Sequence, residues 1–345
     1  MDMLDENEDA VRFVTDVSER ADSMIIYPEE RFKSVIAGVL MTTTVDSQGD
    51  QFGVEALETL VTKVTEEVFL VTAHHDPRIQ PVGRVLAAKV FFAPKSEAHF
   101  VAGVIGYWDP STYKTFDKVG ITGGVADNCE LIPDFYTEDP PQASIGLNRQ
   151  DFDLTDLHDV LEEAPPIVSR EVNEQFRKAH DPITIVSISV SISLLLSTPY
   201  LKEIQKKFGA ATADACIDFS RWVGTVLAAK VRSLFKREIL FEIQSEIAAC
   251  DISFLVETSD PLLVSEAMEH VQQAAIAAIN LASAMKSLEP IRITYLYDHA
   301  AKKWLPLHAV TKNAGIITDR PRLITLEGLS GLSVSGAATS KQLEQ

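Results

Sequence analysis

The chain has 345 residues, too many for one ordinary core, so two domains are the starting expectation. Hydrophobic residues make up 46% of it and charged residues 23%, which excludes disordered and collagen-like classes and means that most of the chain should pack. Fifty acidic against 31 basic residues give a formal charge of −19, a balance that repels phosphate backbones and argues against a nucleic-acid partner.

Taken in order, residues 1–30 hold ten acidic and two basic residues, the opposite of an export signal, and 1–31 read as an acidic leader. Residues 32–44 read as a strand, 54–65 as a short helix with Leu57, Leu60, Val61 and Val64 on one side, and 68–73 as another strand. The β-branched and aromatic runs 82–92 and 99–105, joined by the turn-like PKSEA, suit antiparallel neighbours. Between 127 and 163 eleven acidic residues face the single Arg149, and prolines at 133, 140 and 141 forbid long elements, so this stretch reads as a loop-rich acidic rim. Pro165-Pro166 then marks a linker, which closes a β-rich first domain at 32–166.

Past the linker, ITIVSISVSISLLLSTPYL places Ser187, Ser189, Ser191 and Ser193 at every second position. That period fits a half-buried strand, while a short apolar helix also accepts serine, so both stay open. The run is short of the roughly 20 residues of a bilayer span, and it is expected to pack against the helix around Val271 rather than to cross lipid. Residues 200–237 are helical in pattern, with eight basic against three acidic residues. Strands follow at 239–247 and 251–257; Asp260 then caps and Pro261 opens a long helix whose buried stripe is Val264, Met268, Val271, Ala275, Ala278 and Ala282. Strands at 291–297, 304–311 and 316–318 complete an α+β second domain, 167–326, and a small-residue tail covers 327–345.

Chemistry-bearing residues are sparse. His74 and His75 end a strand ahead of a Pro-Val-Gly turn, where an imidazole can serve as a base or simply sit at the surface. Asp46 and Asp50 flank Ser47-Gln48-Gly49, a polar turn more than a metal loop, and Gly120 to Gly124 reads as a turn. Cys129, Cys216 and Cys250 are few, odd in number and far apart, which suits a reducing, cytoplasmic compartment and offers no metal-ligand spacing. There is no HExxH and no Walker-type loop, so no metal and no cofactor is expected.

The order of segments resembles a known family. A strand, then Val45-Asp46-Ser47-Gln48-Gly49-Asp50, a short helix, and a strand ending in His75-Asp76 ahead of Pro81-Val82-Gly83-Arg84-Val85 is similar to the phage prohead (capsid-maturation) serine proteases, which share a fold with the herpesvirus assemblins. In that family the histidine before the turn is the general base, and the nucleophile lies downstream in a small-Ser-[IV]-Gly strand followed by an L-x-[ED] stretch and a proline. Ala143-Ser144-Ile145-Gly146, then Leu154-Thr155-Asp156-Leu157-His158 and Pro165, run in that order. The resemblance covers about 32–166 and implies an α+β chain with a prohead protease-like first domain; the second domain resembles no family. It further implies Ser144 as nucleophile, His75 as base, Asp156 as its orienting group, and backbone N–H groups near the Ser-Ile-Gly turn for the oxyanion. His158 departs from the serine usual after the acidic position, and His74 competes with His75.

Three functions follow as expectations. The first is a serine endopeptidase of prohead-protease type with a protein substrate. The second is a catalytically degenerate binding or sensing module with a protein partner, homo-oligomerisation being open. The third is a bacterial conflict-system effector in which residues 183–201 disturb membranes.

Overall fold

In the computed structural model, which describes residues 3–27, 30–45, 51–73, 76–113, 142–148, 160–175, 184–196, 206, 210–234, 239–247, 249–258 and 260–327, the chain parts between Lys114 and Thr115 into two units. Each has an apolar core of its own. The chain mixes helices and strands, as the α+β expectation has it.

The first unit begins with helix α1 (Glu8–Glu19), started by Asn7, whose side chain accepts a hydrogen bond from the Ala10 amide at 3.0 Å. Ala10, Val14 and Val17 recur at helical spacing and are buried with Ala21 against Phe100, Ala102 and Val104. The stretch expected as a leader is therefore part of the core: Glu8, Asp9, Asp16 and Glu19 mark the outer face of an amphipathic helix. Strands β1 (Phe32–Thr42), β2 (Leu70–Val71), β3 (Gly83–Ala93) and β4 (Ala98–Trp108) form an antiparallel sheet in the order β1-β4-β3-β2, with α2 (Val54–Glu66) following β1 in the chain.

The Pro-Val-Gly-Arg motif has a structural use in this sheet. A Cβ on Gly83 would run into the Gly106 carbonyl, so only glycine lets β3 and β4 approach there. Arg84 meets Glu30 at 2.9 Å, and Glu30, fully buried, also accepts from Trp108 Nε1 at 2.7 Å and the Ile26 amide at 2.9 Å. Burial works against the Glu30 carboxylate, yet these donors hold its pKa below the usual range.

The second unit is an eight-stranded mixed sheet in the order β12-β11-β10-β9-β8-β7-β5-β6. Its members are β5 (Ala143–Asn148), β6 (Val168–Gln175), β7 (Thr184–Val190), β8 (Ile239–Ile247), β9 (Cys250–Thr258), β10 (Pro290–Asp298), β11 (Lys303–Thr311) and β12 (Gly315–Ile317). This sheet corrects the expected domain division. β5 is parallel to β6 on one side and antiparallel to β7 on the other, so one sheet runs straight across Pro165-Pro166 and the boundary lies some fifty residues earlier, at Lys114.

The serine-alternating run is strand β7 over Thr184–Val190, followed by the helical turn α3 (Ile192–Leu195). Helices α4 (Ala210–Trp222) and α5 (Ala228–Leu234), joined by a π turn at Val223–Leu227, make the crossover from β7 to its parallel neighbour β8. Helix α6 (Pro261–Ala284), capped by Asp260 through the Leu262 amide at 2.9 Å, makes the crossover from β9 to parallel β10. One core holds Val186, Ile188, Ile243, Phe254 and Tyr295 of the sheet with Phe219, Val223, Val264 and Val271 of these helices. Of the run expected to pack on the helix around Val271, the α3 turn does so, packing on α6. No helix of the described residues is long and apolar enough to cross a membrane.

Candidate active site

Because side chains alternate along a strand, burying Val186, Ile188 and Val190 under the helices turns Ser187 and Ser189 to the sheet's other face. The register then builds a polar row on that face. Ser144 of β5 pairs with Ser189 of β7, Ser189 with Gln244 of β8, Gln244 with Ser253 of β9, Ser253 with Thr294 of β10, and Thr294 with His308 of β11. Of the alternating serines of the sequence, Ser187 and Ser189 lie on this face and Ser189 belongs to the row, which crosses six strands; Ser191 and Ser193 fall beyond the end of β7.

One end of this row opens into a cleft of about 630 Å³, lined by Gln142, Ser144, Ser189, Gln244, Ser253 and Arg292 among others. Its side chains are knitted together. Ser189 Oγ donates to Gln244 Oε1 at 3.4 Å, Ser191 Oγ donates to the Gln142 carbonyl at 2.9 Å and accepts from the Gln142 amide at 2.7 Å. Ser253 Oγ donates to the buried carboxylate of Glu242 at 3.2 Å, and Arg292 reaches Asp251 at 3.5 Å. Short hydroxyls and amides donate and accept equally, so the floor can satisfy main-chain N–H and C=O groups of a bound chain.

The row ends at His308, which is 3% exposed. Its Nε2 lies 3.2 Å from Thr294 Oγ1, while Nδ1 is buried with no hydrogen-bond partner among the described residues. Burial, helped by the nearby positive charge of Arg292, pushes its pKa down to about 4, so the ring is neutral at pH 7. His308 and the row it ends were not singled out from the sequence, because the row is assembled by cross-strand register from six strands between Ser144 and His308; the serine alternation was the only local trace.

Of the three residues that the resemblance implies, the structure places Ser144. It stands half-buried in the cleft, on a strand flanked by β6 and β7. Ser144-Ile145-Gly146 is therefore strand and not turn. Its pairing to β7 includes Ser144 itself, and ladder pairing directs backbone N–H groups at neighbouring carbonyls, so the oxyanion donors pictured in a free turn are not supplied in that form. His75, its neighbour His74, Asp156 and His158 lie outside the described residues, as do Asp46, Asp50 and the 120–124 glycines. By position, Ser144 and Asp156 fall in the span of the second unit and His75 in that of the first. Cys216 and Cys250 are buried thiols that burial pushes up to about 11 and about 12, far from thiolate reactivity. No cluster of three metal-ligating side chains occurs among the described residues.

The chain matches no protein-family model, no curated protein and no solved structure.

Proposed function

We propose that the chain is a serine endopeptidase of prohead-protease type acting on a protein substrate, with Ser144 as nucleophile, His75 as general base and Asp156 as the group that orients it. The observation that supports this reading is Ser144 itself, half-buried in a cleft whose hydroxyls and amides are fit to hold the main chain of a peptide. In this scheme His75 takes the Ser144 proton as Oγ adds to the scissile carbonyl, then passes it to the departing amine; water repeats the cycle on the acyl-enzyme. Asp156 stabilises the imidazolium between the two transfers.

A fluorophosphonate probe on the full chain tests it. Ser144-dependent labelling is expected, abolished in Ser144→Ala and slowed by a factor on the order of 10³ or more in His75→Gln, since serine alone is a poor nucleophile. A parent chain that takes no label at Ser144 overturns the reading in favour of a binding module. That second reading draws on the knitted hydrogen bonds of the cleft, which suit recognition without chemistry.

A further inference from the structure

The charged groups of the cleft are not balanced. Register places Glu246 of β8 directly opposite Asp251 of β9, and Asp251 opposite Arg292 of β10. Two carboxylates thus stand side by side, an arrangement that costs stability unless a cation intervenes. Arg292 serves Asp251 at 3.5 Å. Glu246 is exposed, lines the same cleft, and has no hydrogen-bond or ion-pair partner among the described residues. Negative charge prevails locally: the Cys250 thiol is pushed up to about 12 by burial first, then by Asp251 and Glu246, against the opposing pull of Arg292.

Position then says what a cation there would belong to. Ser144, Ser189 and Gln244 share one row, and Glu246 lies two residues further along β8. Two strand spacings across and two residues along separate Ser144 from Glu246 by about 12 Å. An extended peptide advances roughly 3.4 Å per residue, so a long side chain two or three residues from a bond held at Ser144 reaches the carboxylate.

We infer that the cleft takes a polypeptide segment bearing a lysine or arginine side chain, with Glu246 as its specificity-determining residue. The neutral hydroxyl row binds the main chain, and Glu246 reads the cation two or three residues from the bond to be cut. This rests on Ser144 being the nucleophile, but the charge selection is measurable without turnover.

The test uses the full chain carrying Ser144→Ala and fluorescein-labelled Gly/Ser decapeptides with one central Lys, Gln or Glu, read by fluorescence anisotropy at low and high salt. The Lys peptide is expected to bind at least about fivefold more tightly than the Glu peptide, with the gap narrowing in salt. E246Q should remove most of the preference and E246K should reverse it. E269Q, which neutralises an exposed carboxylate on α6 outside the cleft, should leave it intact and so reports any preference due only to the overall negative charge. Equal binding of the peptides, no binding of any, an unchanged preference in E246Q, or an equal loss in E269Q overturns the inference. Failure of the parent to take fluorophosphonate overturns the nucleophile alone, because the peptide preference is read in a chain that cannot turn over.

Discussion

His308 shows how a single residue sets a pH dependence. Folding buries it beside Thr294 and lowers its pKa from about 6.5 to about 4, so the folded state disfavours the proton that the unfolded chain accepts. Its stability contribution is therefore complete above pH 6.5 and is lost as pH falls from 6.5 toward 4, by roughly 3 kcal/mol at most. Glu327 acts in the opposite sense. Burial raises its carboxyl to about 7 despite the opposing charge of Lys303, so its contribution is present below about pH 4.5 and lost as pH rises through 7. The two groups titrate over overlapping ranges with opposite slopes. Urea denaturation of the parent between pH 4.5 and 6.5 should accordingly show a shallower slope than either variant: His308→Gln should gain stability on acidification and Glu327→Gln should lose it. Parallel profiles for the two variants would disprove the assignment.

At the scale of elements, helix–helix contact supplies a sharper test than any surface pair. Gly224, in the π turn between α4 and α5, lies so close to α6 that a Cβ would fall 2.7 Å from Ser265 Cα. Alanine improves helix propensity by about 1 kcal/mol, but pushing two packed backbones apart costs about 1–3 kcal/mol, so Gly224→Ala should be net destabilising by about 1 kcal/mol with an unchanged denaturant slope. A stabilised variant would refute the close approach. The same elements show what was legible in the chain. The hairpin of β3 and β4, the long helix opened by Asp260-Pro261 and the strands after it were readable because period, cap and turn residues are local signals. Helix α1 was missed because its dense carboxylates hid a three-residue apolar stripe. Composition puts β5 inside the loop-rich acidic rim of the first domain, because a strand that pairs with β6 and β7 on both sides owes its place to contacts 25 to 47 residues away. For the site, Ser144 was legible through a motif and Ser189 through alternation. Gln244, Glu246 and Arg292 were not, since only cross-strand register brings them to the cleft.

For the whole molecule, the placement of β5 decides where the chain can be cut. The first unit has its own core, in which Ala10, Val14 and Val17 of α1 cover Phe100, Ala102 and Val104, and about 110 residues suffice for an autonomous domain. A fragment of residues 1–114 should fold cooperatively. One of residues 24–114, lacking α1, should lose its transition because the apolar face of the sheet is uncovered. In the second unit, β5 lies between β7 and β6 and contributes Ile145 and Leu147, both almost fully buried. Starting a fragment at 115 retains that strand; starting it at 167 removes β5 from between β7 and β6, leaves β6 without a partner and exposes the edge of β7 with Val186 and Ile188 beside it. Unpaired apolar edges of this kind associate with one another. Size-exclusion chromatography and thermal unfolding by circular dichroism should find 115–345 monodisperse with a cooperative transition, and 167–345 aggregated or without one. Equal behaviour of the two fragments would return the boundary to Pro165-Pro166 and detach Ser144 from the sheet that forms its cleft.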